Sequence, residues 1–326
     1  MTDPVLTSPR IDPELPPSAD PLAEVLQLLK LSGVLYCDAR LTSPWGLEIP
    51  ELPGVMNVEV VTAGACWLEV EGEPAVFLPQ GSLALIPRGR RHRLRGNPGD
   101  KTTPLEDVPV ELLGDRFERM RFGGSGAETR VMYYGVRYDP YLAERLIDLL
   151  PEALTVRSQA GDPDWLHHTI RFIAQEAEQR RPGSETMITR LADILVVQAI
   201  RSWIDSVRDE AEGWIAALHD RRIGKAMSLM HRQPARNWQV ATLARETGMS
   251  RSGFSARFTA LVGDSALNYL TRLRMQLAHR DLRESDDTLA RIAERVGYQS
   301  ESAFNRAFKR VVGCPPGALR KRPETA

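Results

Sequence analysis

Residues 292–313 read IAERVGYQSESAFNRAFKRVVG, and residues 243–263 read LARETGMSRSGFSARFTALVG. The two stretches are copies of one pattern. Leu243-Ala244, Gly248, Ser250, Phe254, Phe258 and Gly263 recur as Ile292-Ala293, Gly297, Ser300, Phe304, Phe308 and Gly313. The offset is 49 residues at the start and 50 after the turn, where the second copy has Tyr298-Gln299 against Met249. Leu-Ala or Ile-Ala lies on a short helix, and the small alanine lets a second helix pack closely. Glycine just past that helix supplies a turn with positive φ. Serine follows as the N-cap of the next helix. Phenylalanine at i and i+4 turns one face of that helix to the core. The outer residues at its N-terminal end are left free.

Each copy therefore reads as a helix-turn-helix, whose second helix enters the DNA major groove. Between the copies, Leu267–Leu282 (LNYLTRLRMQLAHRDL) reads as one connecting helix. Two readers on one DNA face must sit about one helical turn apart, ~34 Å, so a rigid connector makes physical sense. Charge agrees. Residues 221–326 hold 20 Lys+Arg against 9 Asp+Glu, although the whole chain has a formal net charge of −1. The rest of the chain is correspondingly acidic. A basic C-terminal third on an acidic body favours a polyanion-binding module at that end.

With these residues the chain resembles the AraC/XylS family of bacterial transcription regulators. The resemblance rests on RLRMQLAHRDL at Arg272–Leu282, on the second copy at Ile292–Gly313, and on Pro316 with Arg320. It covers residues 220–326. It implies two helix-turn-helix units joined by a linker helix, with promoter DNA and RNA polymerase as partners and activation as the usual outcome. By the family's pattern, the base-reading face of the second unit falls on Glu301, Ser302, Asn305 and Arg306. Arginine suits guanine edges, asparagine adenine, and glutamate a cytosine amino group. The equivalent face of the first unit is Arg251, Ser252, Ser255 and Ala256, whose small residues weaken direct readout. Arg251, Arg257, Lys309 and Arg310 read as phosphate contacts, which position without specifying.

The N-terminal half has a different grammar. Residues 1–20 contain five prolines and predict a disordered leader. A short helix is expected over 21–30. From 33 to 96, short strand-like runs such as Val55–Val61 and Cys66–Val70 alternate with Gly and Pro, as in a sandwich or barrel. Glu128–Tyr138 reads as one more strand. Helical spacing takes over after Asp139, with Tyr141–Leu150, a helix capped by Asp164 that runs to Arg180, and a helix capped by Ser184 from Glu185 to Val207. Ile188, Leu191, Leu195, Ala199 and Trp203 form a stripe on the last, either intramolecular core or a dimer face.

Residues 81–92, GSLALIPRGRRH, fit the second cupin motif through Gly81, Pro87, Gly89 and His92. The resemblance is to the small β-barrel sensor domain of many AraC-type regulators. A metal-binding cupin uses an H-x-H pair on its first motif, where Asn57 and Glu59 stand here. His92 with Glu59 is too small a set for a closed zinc site, so no cofactor is expected and the barrel is read as a ligand pocket. Asn57, Glu59, Trp67 and His92 are its candidate lining. Cys37 and Cys66 are candidates for oxidant sensing if their thiolates are accessible; a buried, inert Cys66 is the plainer reading.

The expected architecture is α+β multidomain: leader 1–20, cupin-like barrel 21–138, helical dimerisation segment 139–216, and all-α DNA-binding domain 217–326. A sparse cysteine count and no apolar run of ~20 residues point to a cytoplasmic protein outside the membrane. The expected function is a homodimeric, non-enzymatic regulator that answers a small molecule or an oxidant. Two alternatives stand beside it, a cupin enzyme with a DNA-binding tail and a signal-independent DNA binder.

Overall fold

The computed structural model describes Leu22, Leu26 and residues 31–157, 165–179, 181–207 and 213–320. The leader at 1–20, most of the helix at 21–30 and the cap at Asp164 lie outside the described residues. The chain divides into two compact units, one spanning Leu26–Glu210 and one containing Ala211–Ala326.

The first unit is built on twelve strands among the described residues: β1 (Ser32–Thr42), β2 (Gly46–Ile49), β3 (Val55–Ala63), β4 (Ala65–Val70), β5 (Val76–Pro79), β6 (Ser82–Ile86), β7 (His92–Arg95), β8 (Thr103–Pro104), β9 (Val110–Leu112), β10 (Phe117–Gly123), β11 (Glu128–Arg137) and β12 (Leu154–Arg157). They form a seven-stranded sheet, β12-β6-β3-β11-β1-β10-β9, and a five-stranded sheet, β5-β4-β7-β2-β8. Side chains alternate across a strand. Cys37, Ala39 and Leu41 of β1 therefore share one core with Leu47 and Ile49 of β2 and with Cys66, Leu68 and Val70 of β4. Three helices follow β11: α1 (Pro140–Leu149), α2 (Trp165–Gln179) and α3 (Ser184–Ser206). The second packs on β3, and α3 packs on β1, β6 and β12. Covered on both faces, β3 buries Met56, Val58 and Val60 as well as Asn57 and Glu59.

Two expectations need correction here. Leu154–Arg157 falls within the segment read as helical, yet it pairs with β6 at the edge of the larger sheet. The barrel unit thus continues past residue 138, and α1–α3 belong to it. Ile188, Leu195 and Ala199 are buried in that unit, whereas Leu191 and Trp203 are half-buried. Ser184 does not cap its helix. Gly183 occupies the N-cap position, and the Ser184 hydroxyl donates instead to Glu176 at 2.8 Å.

The second unit is helical: α4 (Gly213–His219), α5 (Arg221–Arg232), α6 (Val240–Glu246), α7 (Arg251–Val262), α8 (Ala266–Glu284), α9 (Leu289–Arg295), α10 (Glu301–Val312) and α11 (Pro316–Leu319). The sequence repeat becomes a repeat of hydrogen bonds. Gly248 N–H donates to Arg245 O and Met249 N–H to Ala244 O; Gly297 N–H donates to Glu294 O and Tyr298 N–H to Ala293 O. Both are the same helix-ending motif, with glycine at φ 66° and 83°. Ser250 then accepts from Gly253 N–H at 3.2 Å, and Ser300 from Ala303 N–H at 3.3 Å. Phe254, Phe258, Phe304 and Phe308 are fully buried.

Linker helix α8 does more than connect. From it, Arg274 donates to Pro234 O at 2.7 Å and to Arg236 O at 2.9 Å, and its guanidinium lies 5.8 Å from the centre of the Tyr298 ring. One side chain thus ties the loop before the first repeat to the turn of the second.

His231, on α5, meets the Tyr269 hydroxyl on α8 at 2.7 Å. Burial pushes its imidazole down to about 4. An unfolded chain takes up this proton near pH 6.5 and the folded one does not. The helical unit should therefore lose stability as pH falls from about 6.5 toward 4. Urea unfolding at pH 7 and pH 5 tests this; His231→Gln should flatten the difference.

Candidate functional site

The two second helices, α7 and α10, present the faces that the repeat predicts. With the phenylalanines turned inward, Arg251, Ser252, Ser255 and Arg257 are exposed on α7, and Glu301, Ser302, Arg306, Lys309 and Arg310 on α10. Asn305 is half-buried, and its Oδ1 has no hydrogen-bond partner among the described residues. A bidentate contact to adenine requires that oxygen to turn outward. The N-terminal end of α10 carries the longer polar side chains and α7 the shorter ones, so the two surfaces are chemically unequal.

Arg257, expected as a phosphate contact, is exposed and engaged within the fold. Its Nε donates to Asp220 Oδ2 at 2.8 Å, and a second guanidinium nitrogen also contacts that oxygen. Asp220 in turn caps α5, accepting from the backbone of Arg222 and Ile223. Burial would raise the Asp220 carboxyl, but the backbone N–H groups and Arg257 hold it below the ordinary carboxylate range. Arg257 thus joins α7 to α5. A pair separated by 37 residues leaves no local signal in the sequence.

Inside the barrel, Asn57, Glu59 and His92 come together. His92 Nε2 lies 2.7 Å from Glu59 Oε1, with both side chains fully buried. His92 Nδ1 lies 2.8 Å from Arg90 O, which can only accept. Both ring nitrogens therefore face acceptors. Burial alone would push the imidazole down; the Glu59 carboxylate and the Arg90 carbonyl outweigh it and hold His92 above its ordinary value. Beside this pair, the Tyr133 hydroxyl donates to Asn57 Oδ1 at 2.9 Å. The donor set is too small for a metal: His92 and Glu59 Oε1 bond each other, Tyr133 takes the Asn57 oxygen, and Glu59 Oε2 alone of these acceptor atoms is left without a hydrogen-bond partner among the described residues. No group of three His, Cys, Asp or Glu suited to a metal occurs among the described residues.

A cavity of about 220 Å³ opens within the barrel unit, lined by Cys37, Leu47, Met120, Val131 and Tyr133 among others. None of the four pocket residues expected from the sequence lines it. Asn57, Glu59 and His92 are buried outside its lining, and Tyr133, which lines it, hydrogen-bonds Asn57. Trp67 lies on the opposite face of β4 from Cys66 and Leu68 and packs on Phe77, with ring centres 5.2 Å apart. One step of strand parity excludes it. Tyr133 and Glu118, which do line the cavity, carried no motif. Both Cys37 and Cys66 are buried, and burial pushes each thiol up to about 12. At neutral pH they are thiols, the less reactive form.

Residues 20–205 match the family described as Cupin, and residues 243–322 the family described as Helix-turn-helix domain. The chain is 37% identical over 305 residues to an AraC-like transcription regulator of Streptomyces lividans, covering 93% of this chain and 99% of that one. It is 28% identical over 308 residues to the RCS-specific HTH-type transcriptional activator RclR of Escherichia coli K12, covering 93% and 98%. Among solved structures it is similar to the DNA-binding domain of AdpA in complex with a target DNA, at 32% identity over 31% of this chain and 90% of that one, with a TM-score of 0.30. Among the described residues, no helix is long and apolar enough to cross a membrane.

Proposed function

Because the chain belongs to the AraC-like transcription regulators that carry a cupin domain, we propose that it activates transcription in response to a small molecule taken up by its barrel. The observation that carries this reading is the pairing of two exposed reading helices with a separate barrel unit that contains an apolar cavity. The sequence left two signals open. Burial and the raised thiols at Cys37 and Cys66 favour the small molecule over the oxidant. The regulator acts as a homodimer and recruits RNA polymerase. Its signal-bound and signal-free states differ in affinity for the molecule, since a ligand shifts only an equilibrium whose two states it binds unequally.

In this reading α10 supplies most of the direct base contacts, and Lys309 and Arg310 hold the backbone. Arg306→Ala should cost about 1–3 kcal/mol on the cognate site and relax one base position. Lys309→Ala should weaken cognate and random DNA alike. Fluorescence-anisotropy titrations on both DNAs check this, and equal losses from Arg306→Ala on the two would remove it from the base-reading set. The function as a whole is tested by selecting genomic fragments with the purified full-length chain, followed by transcription from the selected promoters. No enriched sequence would overturn the DNA-reading proposal, and repression on every selected promoter would overturn activation.

A further inference from the structure

The cavity carries more information than its size. Leu35, Cys37, Ala39 and Leu41 bring one strand's inward face to it, and most of the remaining lining is aliphatic. An engineered apolar cavity of about 150 Å³ holds benzene; about 220 Å³ leaves room for a single ring and a short chain. Two acidic side chains, Glu106 and Glu118, also line it, and no Lys, Arg or His does. Among the described residues, neither carboxylate pairs with a cation, although ion pairs are plentiful on nearby strands, as in Arg119 with Asp38. Glu118 lies on β10 two residues from Met120 and so on the same strand face, and it interacts electrostatically with the Cys37 thiol. Burial raises the Glu118 carboxyl above its ordinary value, the mark of a charge held partly out of water with nothing to balance it. An anionic ligand would meet like charge here. A neutral one would gain nothing from the half-buried Glu118 or from Glu106, which is exposed at the rim.

We propose that the barrel cavity binds a small apolar cation, such as an arylalkyl amine, its ring beside Met120 and Tyr133 and its charge against the Glu118 carboxylate. Tyr133 also lines the cavity, and an aromatic ring is a better neighbour for a cation than for an anion. The inference rests on reading this cavity as the signal site and adds the chemical class of the signal.

Three probes of equal length separate the two claims: 3-phenylpropylammonium, 3-phenylpropanol and 3-phenylpropionate, titrated calorimetrically into the full-length chain. The ammonium should bind about fivefold or more tightly than the alcohol, the gain from one opposite charge near 4 Å at a solvated site. The carboxylate should bind weakest. Glu118→Gln, a half-exposed position, should erase the preference of ammonium over alcohol without abolishing binding of the alcohol. Ala39→Leu, which fills the cavity, should weaken all three; Val110→Trp at the exposed rim serves the same purpose if the former does not fold. Equal binding of ammonium and alcohol, tighter binding of the carboxylate, or an unchanged preference in Glu118→Gln overturns the cation class and leaves the cavity as a site. If none of the three binds, or binding persists in the filled cavity, the reading of the cavity falls as well.

Discussion

His92→Leu is expected to destabilise the barrel unit by about 3–5 kcal/mol, because it leaves the Glu59 carboxylate buried without its partner. For a unit of this size the midpoint of thermal unfolding should fall by roughly 6–20 °C. The double substitution Glu59→Leu/His92→Leu should recover much of the loss, since an apolar pair of similar volume avoids desolvating two charges. Calorimetry of wild type, single and double variants checks the pattern, and a single variant that melts within a degree or two of wild type would refute it. The pH dependence has a definite sign. His92 is held above its ordinary value in the fold, so its contribution is complete below about pH 6.5 and is lost as pH rises through the raised value. His231 acts in the opposite sense in the helical unit. Alkaline conditions should therefore weaken the barrel while mildly acid ones weaken the DNA reader.

Gly297→Ala should be much more damaging than Gly248→Ala, although the two glycines occupy the same place in the repeat. Both have positive φ, which costs a side-chain-bearing residue about 1–2 kcal/mol. At Gly248 an added Cβ meets open space. At Gly297 it would lie 2.6 Å from Ala235 O and 2.7 Å from Ala235 Cα, backbone atoms that cannot swing aside. Overpacking of that kind adds about 1–3 kcal/mol, and it falls where Arg274 anchors the same loop. Gly297→Ala should also shift α10 and remove the footprint of the second unit on DNA, whereas Gly248→Ala should leave that footprint in place. Hydroxyl-radical footprinting with urea melts of both variants decides it; equal penalties would show that the Ala235 contact yields freely.

The two glycines also show what was legible in the sequence. Everything that makes a helix-turn-helix is local: a terminating glycine, a capping serine, and two phenylalanines one turn apart. Two copies made the pattern unmistakable. The contact that distinguishes Gly297 from Gly248 is with a residue 62 positions away, so the sequence shows the motif and hides its surroundings. The same divide runs through the barrel. Gly81, Pro87, Gly89 and His92 announce a cupin strand pair, but Asn57, Glu59 and His92, expected as pocket lining, form a buried cluster outside the cavity lining. The sequence could not set the parity of β4, so Trp67 was assigned to the wrong face. Nor could it place Leu154–Arg157 in the sheet, because a four-residue edge strand between helices has too few residues for periodicity to register. Glu118 and Tyr133 became visible only when β10 and β11 flanked β1.

The clamp of Arg274 between the two readers has one more consequence. It holds two unlike surfaces, α7 with its short side chains and α10 with its long ones, in a fixed order along a stiff rod. Such an object has a head and a tail. A site read by it in one orientation is a different site when inverted, so a single chain bound to DNA defines an arrow along the duplex.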